Sequence, residues 1–339
     1  MVLSDRDTKD GYDVWRCQKL ADGADVWTLR YPAPGELDYG NSPRATPTLT
    51  ADHAYLLGAL GDLHCVELLT GKVVWKRQLV KEFQVTEKQV WGFAAAPLLI
   101  GNQLIINPGA KQASLVALDP LTGKTLWQTA GAPAAFASFI TRTTDQGTQL
   151  IGYDKESLGG WNAKTGERLW TCTPPHGDDF NVPTPILWRD SLLVSTENNG
   201  TRLYEFDKAQ KIVPEPRAQN DDLAPDTHTP VLVGDRLYGV WDELYCLDVN
   251  DKLRKISTFR DPVCKHYAAL IASPERLLMM TQSGELLLFD ISVPEMKLLD
   301  RRKLVQEEVD VYAHPAIVGK HLLVRIDREL RCYELPFQE

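Results

Sequence analysis

Leu118-Asp119-Pro120-Leu121-Thr122-Gly123-Lys124-Thr125-Leu126-Trp127 is the stretch on which the reading of this chain turns. Nearly the same words stand at Val66-Glu67-Leu68-Leu69-Thr70-Gly71-Lys72-Val73-Val74-Trp75 and at Trp161-Asn162-Ala163-Lys164-Thr165-Gly166-Glu167-Arg168-Leu169-Trp170. A worn copy, Ala21-Asp22-Gly23-Ala24-Asp25-Val26-Trp27, precedes them, and in all four the glycine lies four residues before the tryptophan. Asp and Thr side chains bond nearby backbone amides and glycine supplies the positive φ of a tight hairpin, so each copy predicts two adjacent antiparallel strands. They read as the third and fourth strands of a unit. The tryptophan falls on the outer strand, where a large ring can fill the wedge between units that radiate from a centre.

A fixed-period repeat of strand-turn-strand words marks an array or a propeller. Ten residues before the four tryptophans stand Cys17, Cys65, Ala117 and Gly160, all small. Carried on through Glu205, Cys246, Leu288 and Cys332, this position gives eight marks at intervals of 48, 52, 43, 45, 41, 42 and 44 residues. Four-stranded propeller blades run ~40–50 residues. The expected fold is therefore all-β: one eight-bladed β-propeller over residues 1–339, built of four-stranded antiparallel blades.

Later repeats lose the tryptophan. Ile256 and Leu298 stand ten residues after Cys246 and Leu288, and Glu215, ten after Glu205, falls in a proline-rich stretch up to Pro225 that reads as an exposed loop. The ends do not match either: residues 1–5 read as a second strand, and only seven residues follow Cys332. The first blade is expected to lack its inner strand and the last blade its outer strand, with an upstream piece to supply both.

With 43% hydrophobic and 24% charged residues the chain can build a core, and its net charge of −9 argues against a nucleic-acid partner. No run approaches the ~18 apolar residues of a membrane-crossing helix, and the first residues lack the pattern of a signal peptide. The six cysteines show no metal-ligand spacing. Cys17, Cys65, Cys246 and Cys332 share one repeat-equivalent position, so they read as small buried strand residues, too far apart for disulfides. A monomer is expected.

Strand starts converge on a propeller's central channel. Arg44, Trp91, Phe93, Phe136, Asn181, His228, His266, Tyr267, Tyr312 and His314 all fall at or near such starts. An aromatic rim with one arginine and several polar groups fits a protein segment or a small ligand. The three histidines also offer a transition-metal reading, although His228 and His314 sit one register apart and so face opposite sides of the pleat. Glu197 and Asn198, with Asp179, supply oxygen ligands of the kind a hard cation takes. The same Glu197-Asn198-Asn199-Gly200 reads first as a hairpin turn with Asn and Gly at positive φ. No catalytic residue is assigned, because no nucleophile elbow, P-loop or dinucleotide glycine pattern is present.

These words resemble the pyrroloquinoline-quinone (PQQ)-type β-propeller repeat, whose core is hydrophobic-Asp-x-x-Thr-Gly-Lys-x-x-Trp and which occurs in quinoprotein dehydrogenases and in the outer-membrane assembly lipoprotein BamB. Pro43-Arg44-Ala45-Thr46-Pro47, Leu57-Gly58-Ala59-Leu60-Gly61-Asp62-Leu63 and Trp91-Gly92-Phe93 are similar to stand-alone propellers of planctomycete-like bacteria, which implies an exported, periplasmic protein. The quinoproteins of this type hold PQQ beside an adjacent Cys-Cys disulfide, with calcium bound by Glu, Asn and Asp. No two cysteines are adjacent here. The resemblance therefore implies a non-enzymatic binding or scaffold module without a cofactor, the alternative being a PQQ- and calcium-dependent alcohol or sugar dehydrogenase.

Overall fold

The structure, a computed structural model, describes residues 1–306 and 309–335. Its described residues form eight antiparallel sheets taken in chain order, each an up-and-down meander. The fold class is the eight-bladed β-propeller. Blade 1 has three strands, Val2–Arg6, Tyr12–Gln18 and Asp25–Pro32, and blade 8 has three, Ala316–Val318, His321–Ile326 and Glu329–Glu334. The six blades between them have four each, as the mismatch of the ends predicted.

The chain packs as two compact units. One comprises Met1–Pro185 with Asp207–Ile212 and holds blades 1–4; the other comprises Ile186–Phe206 with Val213–Glu339 and holds blades 5–8. Within each unit the apolar core lies in layers between successive blades, because every blade has an apolar face on both sides. Tyr55, Leu63 and Cys65 of blade 2 pack on Leu104, Val116 and Leu118 of blade 3. Tyr238, Leu244 and Cys246 of blade 6 meet Leu277, Met279 and Phe289 of blade 7 in the same way.

The repeated turn works as its residues dictate. Asp119 Oδ1 accepts bonds from the Leu121 and Thr122 backbone N–H groups and from the Thr122 hydroxyl, and Gly123 takes φ 69°. Opposite each small marker residue stands the tryptophan: Cys17 pairs with Trp27, Cys65 with Trp75, Ala117 with Trp127 and Gly160 with Trp170. A β-bulge follows in every case, which turns the strand and adds twist. The rings of Trp27, Trp75 and Trp127 then reach the next blade. Trp27 Nε1 donates to the Leu68 carbonyl at 2.8 Å and Trp75 Nε1 to the Pro120 carbonyl at 2.9 Å, and the rings rest on Gly71 and Gly123. A Cβ at Gly71 would lie 2.6 Å from the Trp27 ring, so glycine is required there twice over, for its φ and for its missing side chain.

Four sequence expectations are corrected. In blade 5 the residue in the marker position is Leu203, not Glu205: Leu203 is fully buried and pairs with Leu193 and Ala218, whereas Glu205 is exposed at the strand end. Residues 214–225 are not one exposed loop, because Ala218–Asn220 forms a short outer strand and Leu223 and Ala224 are buried. In blades 6 and 7 the turn is longer by one and two residues, so Ser257 and Asp300, rather than Ile256 and Leu298, stand opposite Cys246 and Leu288. All six cysteines are free, and Cys65 and Cys246 are buried as expected, but Cys17 is half-buried and Cys332 exposed. Cys332 lies on the third strand of a sheet that has no fourth strand among the described residues.

Candidate binding surface

The two longest connections between blades lie side by side in the first unit. Residues 79–97 (19 residues) join blade 2 to blade 3, residues 33–47 (15 residues) join blade 1 to blade 2, and the next longest, 173–185, has 13. They are what stretches the marker intervals to 52 and 48. The longer one begins with the α-helix Leu79–Phe83, capped by the Gln78 side chain and stopped by Gln84 in a left-handed conformation. Insertions into a repeat fold collect as loops on one face, often the binding face.

Arg44 shapes the shorter connection. Its Nη2 donates to the carbonyls of Asp38 (2.7 Å) and Gly40 (2.9 Å), which brackets Tyr39, itself held at φ 61°. Asp38 N–H donates to the Val90 carbonyl at 3.0 Å, tying this loop to the residue before Trp91. Tyr39 is 81% exposed and its ring meets Trp91 edge-on at 6.4 Å. Trp91 in turn packs on Phe136 at 4.7 Å and on Phe180 at 4.4 Å. Four aromatic side chains from four successive connections thus form one cluster, with Phe180 46% exposed. Burial pulls the Arg44 guanidinium below its usual range, opposed by the Asp38 charge.

Of the residues singled out in sequence, Arg44, Trp91, Phe136 and Asn181 fall together here. Asn181 is buried at φ 53°, and its carbonyl accepts from Ala137 N–H, next to Phe136. Phe93 lies deeper: it is 6% exposed in the core between blades 2 and 3, with its N–H on the Ala59 carbonyl. Sequence reading missed Tyr39 and Phe180. The signal for them was the length of their loops and a tyrosine followed by glycine, a pair suited to a left-handed turn.

Between the same two connections opens a cleft of about 730 Å³, floored by Leu37, Leu60, Val80 and Phe93, with Glu36 and Lys88 on its lining. A polar network, buried at Asp13 and Tyr31, holds the start of the shorter connection. Arg6 donates to Asp13, Asp10 and the Ala33 carbonyl, and Tyr31 donates to Asp13 and accepts from Trp15. Burial, with the Asp13 charge next, pushes Asp62 up to about 6, and burial pushes His64, stacked on Tyr31, down to about 4. This network anchors the loop that walls the cleft.

In the second unit Tyr267 meets Tyr312 at 5.9 Å and His314 at 6.2 Å. His228 is buried, its Nε2 accepting the Val240 N–H at 3.0 Å, and burial followed by the His314 charge pushes it down to about 3. Such a histidine is neutral, with its Nε2 already engaged by the backbone. His266 is exposed at the end of a short 3₁₀ turn. Glu197 and Asn198 lie in the turn between two strands of blade 5, with Gly200 at φ 62°, in the second unit; Asp179 belongs to the first. Among the described residues no group of three or more His, Cys, Asp or Glu is placed to hold a metal ion. The adjacent cysteine pair of the quinone arrangement is not in this sequence.

Comparison with known proteins adds a family. The profile of the family described as outer membrane protein assembly factor BamB matches residues 6–257. BamB of Moranella endobia (strain PCIT) is 23% identical over 218 residues, 64% of this chain, and the chain spans about half that relative's length, 52%. Among solved structures, BamB from Moraxella catarrhalis superposes with a TM-score of 0.64 at 11% identity, covering 95% of this chain and 92% of that one. The quinohemoprotein alcohol dehydrogenase from Comamonas testosteroni gives 0.62 at 12%, covering 95% and 68%. At such identities the structural likenesses speak for the fold alone.

Proposed function

Since this chain belongs to the family of the outer membrane protein assembly factor BamB, we propose that it is a non-enzymatic, exported scaffold that binds a segment of a partner protein on the aromatic surface of its first unit. One observation carries the reading. Tyr39 and Phe180 stand 81% and 46% exposed, each packed against Trp91. Rigid aromatic side chains with few rotors bury much area at little entropic cost, which is why they anchor protein interfaces. Arg44 keeps Tyr39 in place, so the surface is prepared before a partner arrives. The name of the relative, an assembly factor, supports the same kind of work. No helix among the described residues is long and apolar enough to cross a membrane.

The reading is tested in cells by replacing Tyr39 with a photo-crosslinking amino acid. A discrete crosslinked protein that disappears when Trp91→Ala is added is the expected result. Equilibrium dialysis of the purified chain with PQQ and calcium, coupled to dye-linked alcohol oxidation, is the counter-test. Saturable quinone binding with turnover would replace the scaffold by the dehydrogenase.

A further inference from the structure

Resting on that reading, we propose that the 730 Å³ cleft is the specificity pocket of the surface: it takes one large apolar side chain of an extended partner segment, whose backbone pairs with Pro34, Gly35 and Glu36. Three features converge on it. The first is provenance, since the cleft is walled by the two longest connections in the chain, additions that the blades themselves do not need.

The second is a prepared shape. Gly92 is pressed against the Ala59 carbonyl and Leu37, a Cβ at Gly35 would lie 2.8 Å from Leu60, and one at Gly61 would lie 3.0 Å from Phe93. Glycines at these three contacts let the walls close on one another, leaving an apolar floor of Leu37, Leu60, Val80 and Phe93 that does not collapse. The volume falls in the range of ~300–1,000 Å³ typical of preformed binding sites.

The third is an unspent backbone edge. Ala33 N–H bonds the Gly11 carbonyl and Leu37 N–H bonds Asn41 Oδ1, but among the described residues no hydrogen bond within the chain reaches the N–H or C=O of Gly35 or Glu36, or the C=O of Pro34. None of the three has a positive φ or lies in a turn. Free backbone donors and acceptors beside a side-chain pocket are what an added strand can use: backbone bonds give affinity and the pocket gives selectivity. Glu36 and Lys88 form no ion pair among the described residues, so flanking charges of a bound segment find a counter-charge on either side.

A random peptide display library selected on the full chain tests this. Enriched peptides should share one large apolar residue without helical spacing. Leu60→Asp and, independently, Thr86→Trp in the exposed loop should each weaken them by about tenfold or more, as should N-methylation beside the anchor residue. Circular dichroism checks that each variant is folded. No enrichment, peptides without an apolar anchor, or binding that survives both variants overturns the proposal. Peptides that need Leu60 while Tyr39 crosslinks nothing in cells would sink the scaffold reading and leave the pocket. The reverse pair of results would do the opposite.

Discussion

Trp75 donates its indole Nε1–H to the Pro120 carbonyl, 2.9 Å away in the following blade, and lays its ring on Gly123 of the same turn. A Cβ on Gly123 would stand 2.7 Å from the ring, at φ 69°. Gly123→Ala should therefore cost about 3 kcal/mol, left-handed strain plus overpacking. Gly101, also at positive φ but with nothing within 4 Å of its would-be Cβ, should cost only about 1 kcal/mol as Gly101→Ala. Urea denaturation of the two variants measures the gap; equal losses would mean the ring is not seated there.

Blade 5 offers a test of register. Leu203 is fully buried between Leu193 and Ala218, so Leu203→Ala should lose about 3 kcal/mol. Glu205 makes an exposed pair with Arg217, and Glu205→Ala should change stability by less than about 1 kcal/mol. A reversal of that order would restore the register expected from sequence.

Arg44 is the clamp on Tyr39: its Nη2 alone donates to both carbonyls, and a lysine side chain ends one bond short of that atom. Arg44→Lys should leave global stability within about 1–2 kcal/mol of the parent while raising proteolytic cleavage between residues 37 and 43. Limited proteolysis with mass spectrometry reads the cut sites. An unchanged digestion pattern would show that the loop holds its shape without the guanidinium.

His228 and Asp62 should respond to pH with opposite signs. His228 has its folded pKa pushed to about 3, below the unfolded value near 6.5, so its contribution is complete above that value and is lost as pH falls. Between pH 7 and pH 5 the loss should be about 2 kcal/mol, and His228→Gln should remove it.

Asp62, raised to about 6, binds more protons folded than unfolded; its contribution is complete below about pH 4 and fades as pH rises through 6. Asp62→Asn should gain about 1 kcal/mol at pH 7.5, discounted for the side chain's partial exposure, and little at pH 4.5. Denaturation curves at the two pH values decide both cases. A variant that tracks the parent at every pH would remove the residue from the titration.

Where the sequence repeats a physical necessity, the structure could be read from it. Gly71, Gly123 and Gly166 each serve a turn and a neighbour's ring, and that double demand keeps the wording intact. Where a blade departs from the motif, counting from it drifts by a residue or two: blade 5 has no Thr-Gly-Lys turn, Trp170 donates to Gln149, which bonds the Gln210 carbonyl, and Leu203 lost its signpost. The aromatic surface was half visible. Trp91 and Phe136 fall at strand starts that can be counted, whereas Tyr39 and Phe180 owe their places to a bracketing arginine and to left-handed residues such as Asp178 and Asn181, which leave no period in the sequence.

The ring-on-glycine contact has a consequence for how such a chain can grow. Blades 2 and 3 each carry a peg for the successor and a socket for the predecessor in one short hairpin, so copying either blade copies both halves of the joint together. A duplicated blade arrives already fitted to whatever lies on either side. The joint is indifferent to number, and the count of blades is left to be settled by curvature and closure rather than by any change of wording.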